Sequence, residues 1–319
     1  MERSRGRSAI AGPEQLTDQS SADSLTRLAD EDLRLALFIR HFERKLLDLF
    51  EEGRINGTTH TCIGQEYIPV ALRPLLDLND FVFSNHRGHG HYLARYKDAH
   101  GLLAEIMGRL GGVCDGVGGS QHILRDRYLS TGVQGQSLPV ATGVALALKR
   151  SAPGSLACAY VGDGTWGEGS TYEALNMARL WRLPLVVVVE NNGIAQTTAT
   201  ETQMAGTIAG RCKAFEIWYH HIESADINLI REDLDPLIRR VRDSLLPLVI
   251  EFETQRVGPH SKGDDTRPAP ALEHVRERDW CGRYAREFPD QFARWDGEAR
   301  ARVDAIAEEV AALPPARPE

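Results

Sequence analysis

Leu156-Ala-Cys-Ala-Tyr-Val-Gly162-Asp163-Gly164-Thr-Trp-Gly167-Glu-Gly169 and Leu185-Val-Val-Val-Val-Glu190-Asn191-Asn192 are the stretches from which the rest of the chain can be read. Each is a short apolar run stopped by glycine or polar residues, which predicts a strand. Between them Ala174, Met177, Ala178 and Trp181 recur at i, i+3, i+4 and i+7, the spacing of one helix face. Strand, turn, helix and strand form a βαβ unit, whose crossover makes the two strands parallel. The expected fold class is α/β, with a largely parallel central sheet flanked by helices.

The turn between them also decides the chemistry. Gly162-x-Gly164-x-x-Gly167 fits a dinucleotide fingerprint, with Glu190 in the place of the ribose-binding acid. Against that reading stands Asp163, whose carboxylate would repel a pyrophosphate approaching between the glycines. A divalent cation turns the repulsion into attraction, and magnesium is usually held by one or two protein oxygens plus phosphate oxygens. Asp163 then reads as a magnesium ligand, and the Asn191-Asn192 amides offer a second oxygen without adding charge. Both lie at the carboxyl ends of parallel strands, where open α/β sheets bind ligands. A diphosphate ester carries about three negative charges against two on magnesium, so the helix starting near Gly169 and a basic side chain should supply the remainder.

These residues carry a resemblance. Gly162-Asp163-Gly164 followed by Asn191-Asn192 resembles the thiamine diphosphate motif of transketolase-like enzymes. The longer text, GDGTWGEGSTYEALNMARLWRLPLVVVVENNG, resembles the α subunit of the 2-oxo acid dehydrogenase E1 family, of pyruvate, branched-chain and acetoin types. The resemblance runs from about Leu33 to about Pro268. It implies the thiamine diphosphate-binding fold, with thiamine diphosphate and Mg2+ as cofactors. By it Asp163, the Asn192 side chain and the Ile194 carbonyl ligate magnesium, while Gly162, Gly164 and Thr165 line the diphosphate turn.

Composition agrees with such an enzyme. The 319 residues suffice for one large domain or two small ones. A net charge of −8 argues against nucleic acid as the main partner. No apolar run approaches bilayer length and no signal-peptide core is visible, so a soluble, cytoplasmic protein is expected. Cys62, Cys114, Cys158, Cys212 and Cys281 are widely spaced and odd in number, suggesting neither a disulfide framework nor a zinc finger. Residues 1–24 read as a disordered tail, 25–270 as the cofactor-binding domain, and 271–319 as a helical extension ending in an amphipathic helix through Val303, Ile306, Ala307 and Val310.

Between tail and turn, Leu35, Phe38, Ile39, Phe42, Leu46, Leu49 and Phe50 trace a helix from Asp32 to Glu52. In GTTHTCIGQEYIPVALRPLL, His60 is placed along the active-site approach; Gln65 and Glu66 either order that approach or cap the following helix. FVFSNHRGHGHYLARYKD predicts a strand, Phe81 to Ser84, running into a polar loop. Arg87 supplies the positive charge that the diphosphate still requires. His86 stands where the pyruvate and branched-chain types carry tyrosine, as in acetoin-type sequences, and can donate to a phosphate oxygen. His89 is placed beside it, with a structural histidine as the alternative. A zinc site on His86, His89 and His91 would lack an evident fourth ligand.

Five glycines between Gly111 and Gly119 exclude regular structure there. Ser120 and His122 match the resembling family's loop, whereas Val117 and Gln121 depart from it. Gly132 and Gln134 match positions whose backbone holds the aminopyrimidine ring, and Ser137 reads as the N-cap of a helix through Ala141, Val144, Ala145 and Leu148. Beyond the second strand, HIESADIN replaces the resembling family's VDGND, with Asp226 in the acidic position. The buried strand Leu248 to Phe252 leads to ETQRVGPHSKGDDTRP, which resembles a mobile loop whose histidine, here His260, faces substrate. A solvated loop residue is the alternative for His260. Ser261 matches a position phosphorylated in animal relatives, and phosphorylation is not expected here.

The resemblance therefore implies an E1 α subunit that decarboxylates a 2-oxo acid and passes the acyl group to a lipoyl-E2. His260 and His89 are the candidate catalytic residues, and His260 also lies among the cofactor-binding ones. The glutamate that deprotonates the cofactor belongs to a separate β subunit in the resembling family, so an α2β2 heterotetramer is expected. A carboligase or acetoin dehydrogenase working without lipoyl-E2, a non-catalytic binding subunit, and an NAD-binding dehydrogenase are the alternatives.

Overall fold

A computed structural model of the chain describes residues 24–261 and 265–317. The helices are α1 (Asp30–Glu51), α2 (Tyr67–Leu72), α3 (His89–Tyr96), α4 (Ala99–Ile106), α5 (Ser137–Ser151), α6 (Gly169–Leu180), α7 (Ile208–Ala214), α8 (Ile227–Ser244), α9 (Ala269–Glu277), α10 (Trp280–Glu287) and α11 (Pro289–Ala311). The strands are β1 (Phe81–Ser84), β2 (Leu124–Arg125), β3 (Tyr128–Ser130), β4 (Ala157–Gly162), β5 (Leu185–Asn191), β6 (Ile194–Ala195), β7 (Thr198–Ala199), β8 (Trp218–Ile222) and β9 (Leu248–Glu253). Seven of them make one sheet in the order β2-β3-β1-β4-β5-β9-β8, and β6 and β7 form a separate hairpin. Every neighbour pair in the large sheet is parallel except β2 with β3.

The unbroken valine run of β5 follows from burial on both faces, as parallel sheets require. Val186 and Val188 join Cys158, Tyr160, Ile250 and Phe252 in a core under α1, α2, α3, α8, α10 and α11. Leu185, Val187 and Val189 join Ala157, Ala159 and Val161 in a second core under α5, α6 and α7. The side chains alternate between the two cores with the period of two that a strand imposes. β4, α6 and β5 form the expected βαβ unit, and the register pairs Gly162 with Glu190. Asp163 and Asn191-Asn192 therefore leave the sheet side by side.

Several local expectations need correction. α6 buries Thr171, Ala174, Leu175 and Ala178, whereas Met177 is only half-buried and Trp181 is 41% exposed. The helix ends at Leu180, so Trp181 is its C-cap and has left the face that its spacing suggested. Ser137 is already inside α5, and its hydroxyl does not cap; Gln136 before it has helical backbone angles. Between β4 and α6 the chain makes a short 3-10 helix, Asp163–Gly167, rather than a bare turn. Asp226 is a buried N-cap of α8, accepting from the amides of Asn228 and Leu229.

α10 and α11 pack on the body. Trp280, Trp295, Val303, Ile306, Ala307 and Val310 belong to the same core as α1. The tail expected over residues 1–24 lies outside the described residues but for Ser24, as do Lys262, Gly263 and Asp264 of the loop after His260. Among the described residues no helix is long and apolar enough to cross a membrane.

The loop His60–Glu66 is fixed between these parts. Arg40 forks onto Glu66, with Nη2 at 3.0 Å, and onto Asp279 at 2.8 Å. The Glu66 carboxylate accepts from Trp280 Nε1 at 2.8 Å and from the Gly64 amide at 2.9 Å. Glu66 stands at the N-cap position of α2 but its side chain makes no cap bond: its carboxylate is the buried anchor of α1, the loop and α10. Glu66→Ala would leave the buried Arg40 guanidinium with Asp279 alone and strip Trp280 Nε1 and the Gly64 amide of their acceptor, which should cost up to about 3–5 kcal/mol, the level of a broken buried pair. Urea unfolding measures this directly, and a loss below about 1 kcal/mol, the level of an exposed pair, would show that Asp279 alone satisfies Arg40.

Candidate active site

Two clusters meet at the carboxyl end of the sheet. The first surrounds Asp163, which is buried. Its carboxylate accepts from the Thr200 hydroxyl and from the Asn192 backbone amide. Asn192 Oδ1 faces the Ile194 amide at 3.3 Å, and the Thr200 amide donates to the Gly193 carbonyl at 3.0 Å. Gly164 must be glycine, because a Cβ there would lie 2.9 Å from Ala195 Cβ. The hairpin of β6 and β7 thereby folds against the 3-10 turn. Burial pushes the Asp163 carboxyl up, outweighing the hydrogen bonds from Thr200 and the backbone. A buried carboxylate beside amide and carbonyl oxygens is the donor set of a hard divalent cation, and such an ion would offset that burial.

The second cluster is basic. The rings of His60 and His86 lie 4.8 Å apart, His60 and His260 4.7 Å, and His86 and His260 5.7 Å. Arg87 is buried at their base and donates to the Thr61 carbonyl at 2.7 Å, the His260 carbonyl at 3.1 Å and His260 Nδ1 at 3.1 Å. It meets no carboxylate among the described residues. Burial, with the Arg256 guanidinium nearby, pulls Arg87 down to about 10. An arginine buried in this way fits a polyanionic ligand.

The partners fix the ring tautomers, since a guanidinium can only donate. His260 Nδ1 must accept from Arg87, and from Arg256 at 3.4 Å, so its proton sits on Nε2. Gln121 Nε2 donates to the Thr58 carbonyl at 3.1 Å and to His60 Nδ1 at 3.0 Å, which leaves His60 the same tautomer. Gln134 Nε2 donates to His86 Nδ1 at 2.6 Å and its Oε1 accepts from Thr165 at 2.9 Å. Burial and Arg87 hold His86 well below the ordinary histidine range, so it is neutral and presents Nε2–H. Each of the three rings has its Nδ1 tied back by a donor from the protein.

Gln134 and Arg256 tie the clusters together. Gln134 spans His86 and the Thr165 turn, and Arg256 reaches both the Gln196 carbonyl of the hairpin and His260. These contacts of Gln134 come from its side chain. Gly132 packs so closely that a Cβ would fall 2.0 Å from Gln121 Oε1.

Other expectations change. His89 is 1% exposed, and both ring nitrogens are occupied: Nδ1 by Glu43 at 3.0 Å and Nε2 by the Ser120 hydroxyl at 2.9 Å. It has no nitrogen left for a reactant and reads as a positioning residue. His91 bonds Ser84 and Glu190, so His86, His89 and His91 face different partners and do not converge on a zinc ion. Glu190 is buried between Asn85 and His91, out of the place a ribose-binding acid would take. Thr200, Arg256 and Gln121 were missed because they are ordinary residues in irregular segments, with no local pattern to mark them. The glycine loop is held by Glu105, whose carboxylate accepts from the amides of Cys114, Gly116, Gly118 and Gly119.

The Dehydrogenase E1 component family matches residues 34–312 of this chain. The chain belongs to that family. The match extends past Pro268, where the resemblance was expected to stop, and takes in α9, α10 and most of α11. The acetoin:2,6-dichlorophenolindophenol oxidoreductase α subunit of Cupriavidus necator is 32% identical over 309 residues, covering 93% of this chain and 92% of its own. The pyruvate dehydrogenase E1 α subunit of Rhizobium meliloti is 34% identical over 238 residues, 73% of this chain and 68% of its own. The Bacillus subtilis acetoin:2,6-dichlorophenolindophenol oxidoreductase α subunit is 35% identical over 254 residues, 76% and 75% of the two chains. The chain is an E1-type dehydrogenase component, an oxidoreductase, and the α/β sheet described above is the fold expected for it.

Proposed function

We propose that this chain is the α subunit of a thiamine diphosphate- and Mg2+-dependent 2-oxo acid dehydrogenase, working with a β subunit in an α2β2 assembly in the cytoplasm and delivering acyl groups to a lipoyl-E2. The observation that carries the reading is the adjacency of an oxygen-lined carboxylate, Asp163, to a basic cluster on Arg87, bridged by Gln134 and Arg256. One holds a cation and the other holds phosphates, as a metal diphosphate requires.

In this reading Asp163, the Asn192 amide and the Ile194 carbonyl hold magnesium. Arg87 and the Nε2–H of His86 meet the diphosphate, beside Gly162, Gly164 and Thr165, while Gly132 and Gln134 border the ring. When bound, thiamine diphosphate supplies the electron sink that lets a 2-oxo acid lose carbon dioxide. His260 faces the substrate, with Arg87 and Arg256 aiming the ring. His89, through Glu43 and Ser120, sets the glycine loop that carries Gln121 to His60.

A second reading has support in the relatives named for acetoin oxidation and in His86, which stands where the pyruvate and branched-chain types have tyrosine. Purifying the tagged chain from its own organism tests both. Native mass spectrometry should give a 1:1 complex with a second protein, binding cofactor only as the pair. Acyl-lipoyl formation from a 2-oxo acid then supports the E1 reaction; acyloin turnover without lipoyl acceptor supports the alternative. A homo-oligomer that binds cofactor alone would overturn the α2β2 assignment.

A further inference from the structure

On the face of the sheet under α2 and α3 lies a cavity of about 210 Å3 that the cofactor clusters do not use. Its floor is Tyr160 and His91, stacked with ring centroids 3.8 Å apart. Tyr160 is 3% exposed, and its hydroxyl has no hydrogen-bond partner among the described residues. Buried phenols ordinarily find one. The mouth carries Arg73, Arg95 and Lys97. Arg73 and Lys97 share one carboxylate, Glu31, at 3.0 and 2.9 Å, while Arg95 donates only to the carbonyls of Asp77, Leu78 and Asp80. The Nε atoms of Arg73 and Arg95 are buried without a partner. Asp32 also lies 3.6 Å from Arg73 Nη2, but both its oxygens are forked by Arg231. Positive charge at the entrance, an apolar wall at Ala94 and an unused hydroxyl at the bottom describe a receptor for a small organic anion. The volume is below the ~300–1,000 Å3 of drug-sized sites, which restricts the occupant to one ring or a short chain with its carboxylate.

The floor is also wired to the active site. Ser84 Oγ bonds His91 Nδ1 at 2.7 Å, and His91 Nε2 bonds Glu190 Oε1 at 3.0 Å. Glu190 Oε2 accepts from Asn85 at 2.9 Å, and Asn85 Oδ1 accepts from the Arg87 amide at 2.8 Å. The groups in this chain are buried, so displacement of His91 is passed to the Arg87 loop through packed, directional contacts. We propose that the cavity is an effector site for a small aryl or alkyl carboxylate, coupled to cofactor binding through His91, Glu190 and Asn85. The binding itself does not depend on the proposed activity; the coupling does.

The test is calorimetric titration of the full chain, with the subunit that copurifies with it, using 4-hydroxyphenylacetate as the probe. One saturable site per chain is expected, not competed by saturating thiamine diphosphate and Mg2+. Tyr160→Phe should weaken binding about 5–10-fold, the worth of one hydrogen bond, and Ala94→Leu should abolish it by filling the cavity. Lys97→Met, at a side chain 55% exposed and therefore harmless to folding, should weaken it and reduce its salt dependence. Coupling is reciprocal, so the probe should shift cofactor affinity by the same factor as cofactor shifts probe affinity. Absence of saturable binding, competition by cofactor, or binding untouched by all three substitutions would overturn the site. Binding that leaves cofactor affinity unchanged within about twofold would overturn the effector role.

Discussion

Asp163→Ala is expected to abolish magnesium-dependent binding of thiamine diphosphate, weakening it by more than about 100-fold, since even outer-shell partners of a metal are worth about 10–100-fold. The buried carboxylate stands at the junction of the 3-10 turn and the hairpin, and Asn192 and Ile194 offer neutral oxygens. Asp163→Asn separates charge from shape, because an amide can still accept from Thr200. Burial raises the Asp163 pKa in the folded chain. A raised value means that the group's contribution to stability is full at low pH and is lost as pH rises through the folded pKa. At neutral pH the metal-free chain therefore carries the ionised group at a cost that asparagine relieves. Asp163→Asn should match or exceed the wild-type melting temperature without metal, and should lose the stabilisation that cofactor and magnesium give the wild type. Wild-type affinity in either variant, measured by calorimetry, would remove Asp163 from the metal site.

His260→Ala is expected to lower kcat by about 10²–10⁴-fold, the range for a positioned proton donor or acceptor, with cofactor Kd changed by less than about threefold. The split arises because Arg87 and His86 hold the diphosphate in this reading, whereas His260 faces the substrate. Arg87→Lys is the companion test: a lysine keeps a positive charge but cannot donate at once to Thr61, the His260 carbonyl and His260 Nδ1 in the same fork. It should impair both cofactor affinity and kcat. Steady-state kinetics with an artificial electron acceptor, beside equilibrium cofactor titration, read both quantities. An unchanged kcat in His260→Ala would take the residue out of the mechanism.

These expectations rest on two kinds of information. The amino-acid sequence by itself determined the βαβ unit, because the apolar runs of β4 and β5 and the glycines after them are local patterns with one physical solution. It also determined the pairing of Asp163 with the Asn191-Asn192 turn, since parallel strands in one crossover must end together. The histidine loop and Arg87 were legible as a source of positive charge for the same reason of type and place. Tertiary structure decided the rest. His86, His89 and His91 are near neighbours in sequence, yet His89 is locked by Glu43 and Ser120 and His91 by Ser84 and Glu190. Which nitrogen of each active-site ring is tied back was set by Arg87, Gln121 and Gln134. Thr200 reaches Asp163 across 37 residues, and Glu66 anchors a helix 214 residues away. Hydrogen bonds between side chains of irregular segments leave no periodicity to read, because their geometry exists only after the sheet has brought the segments together.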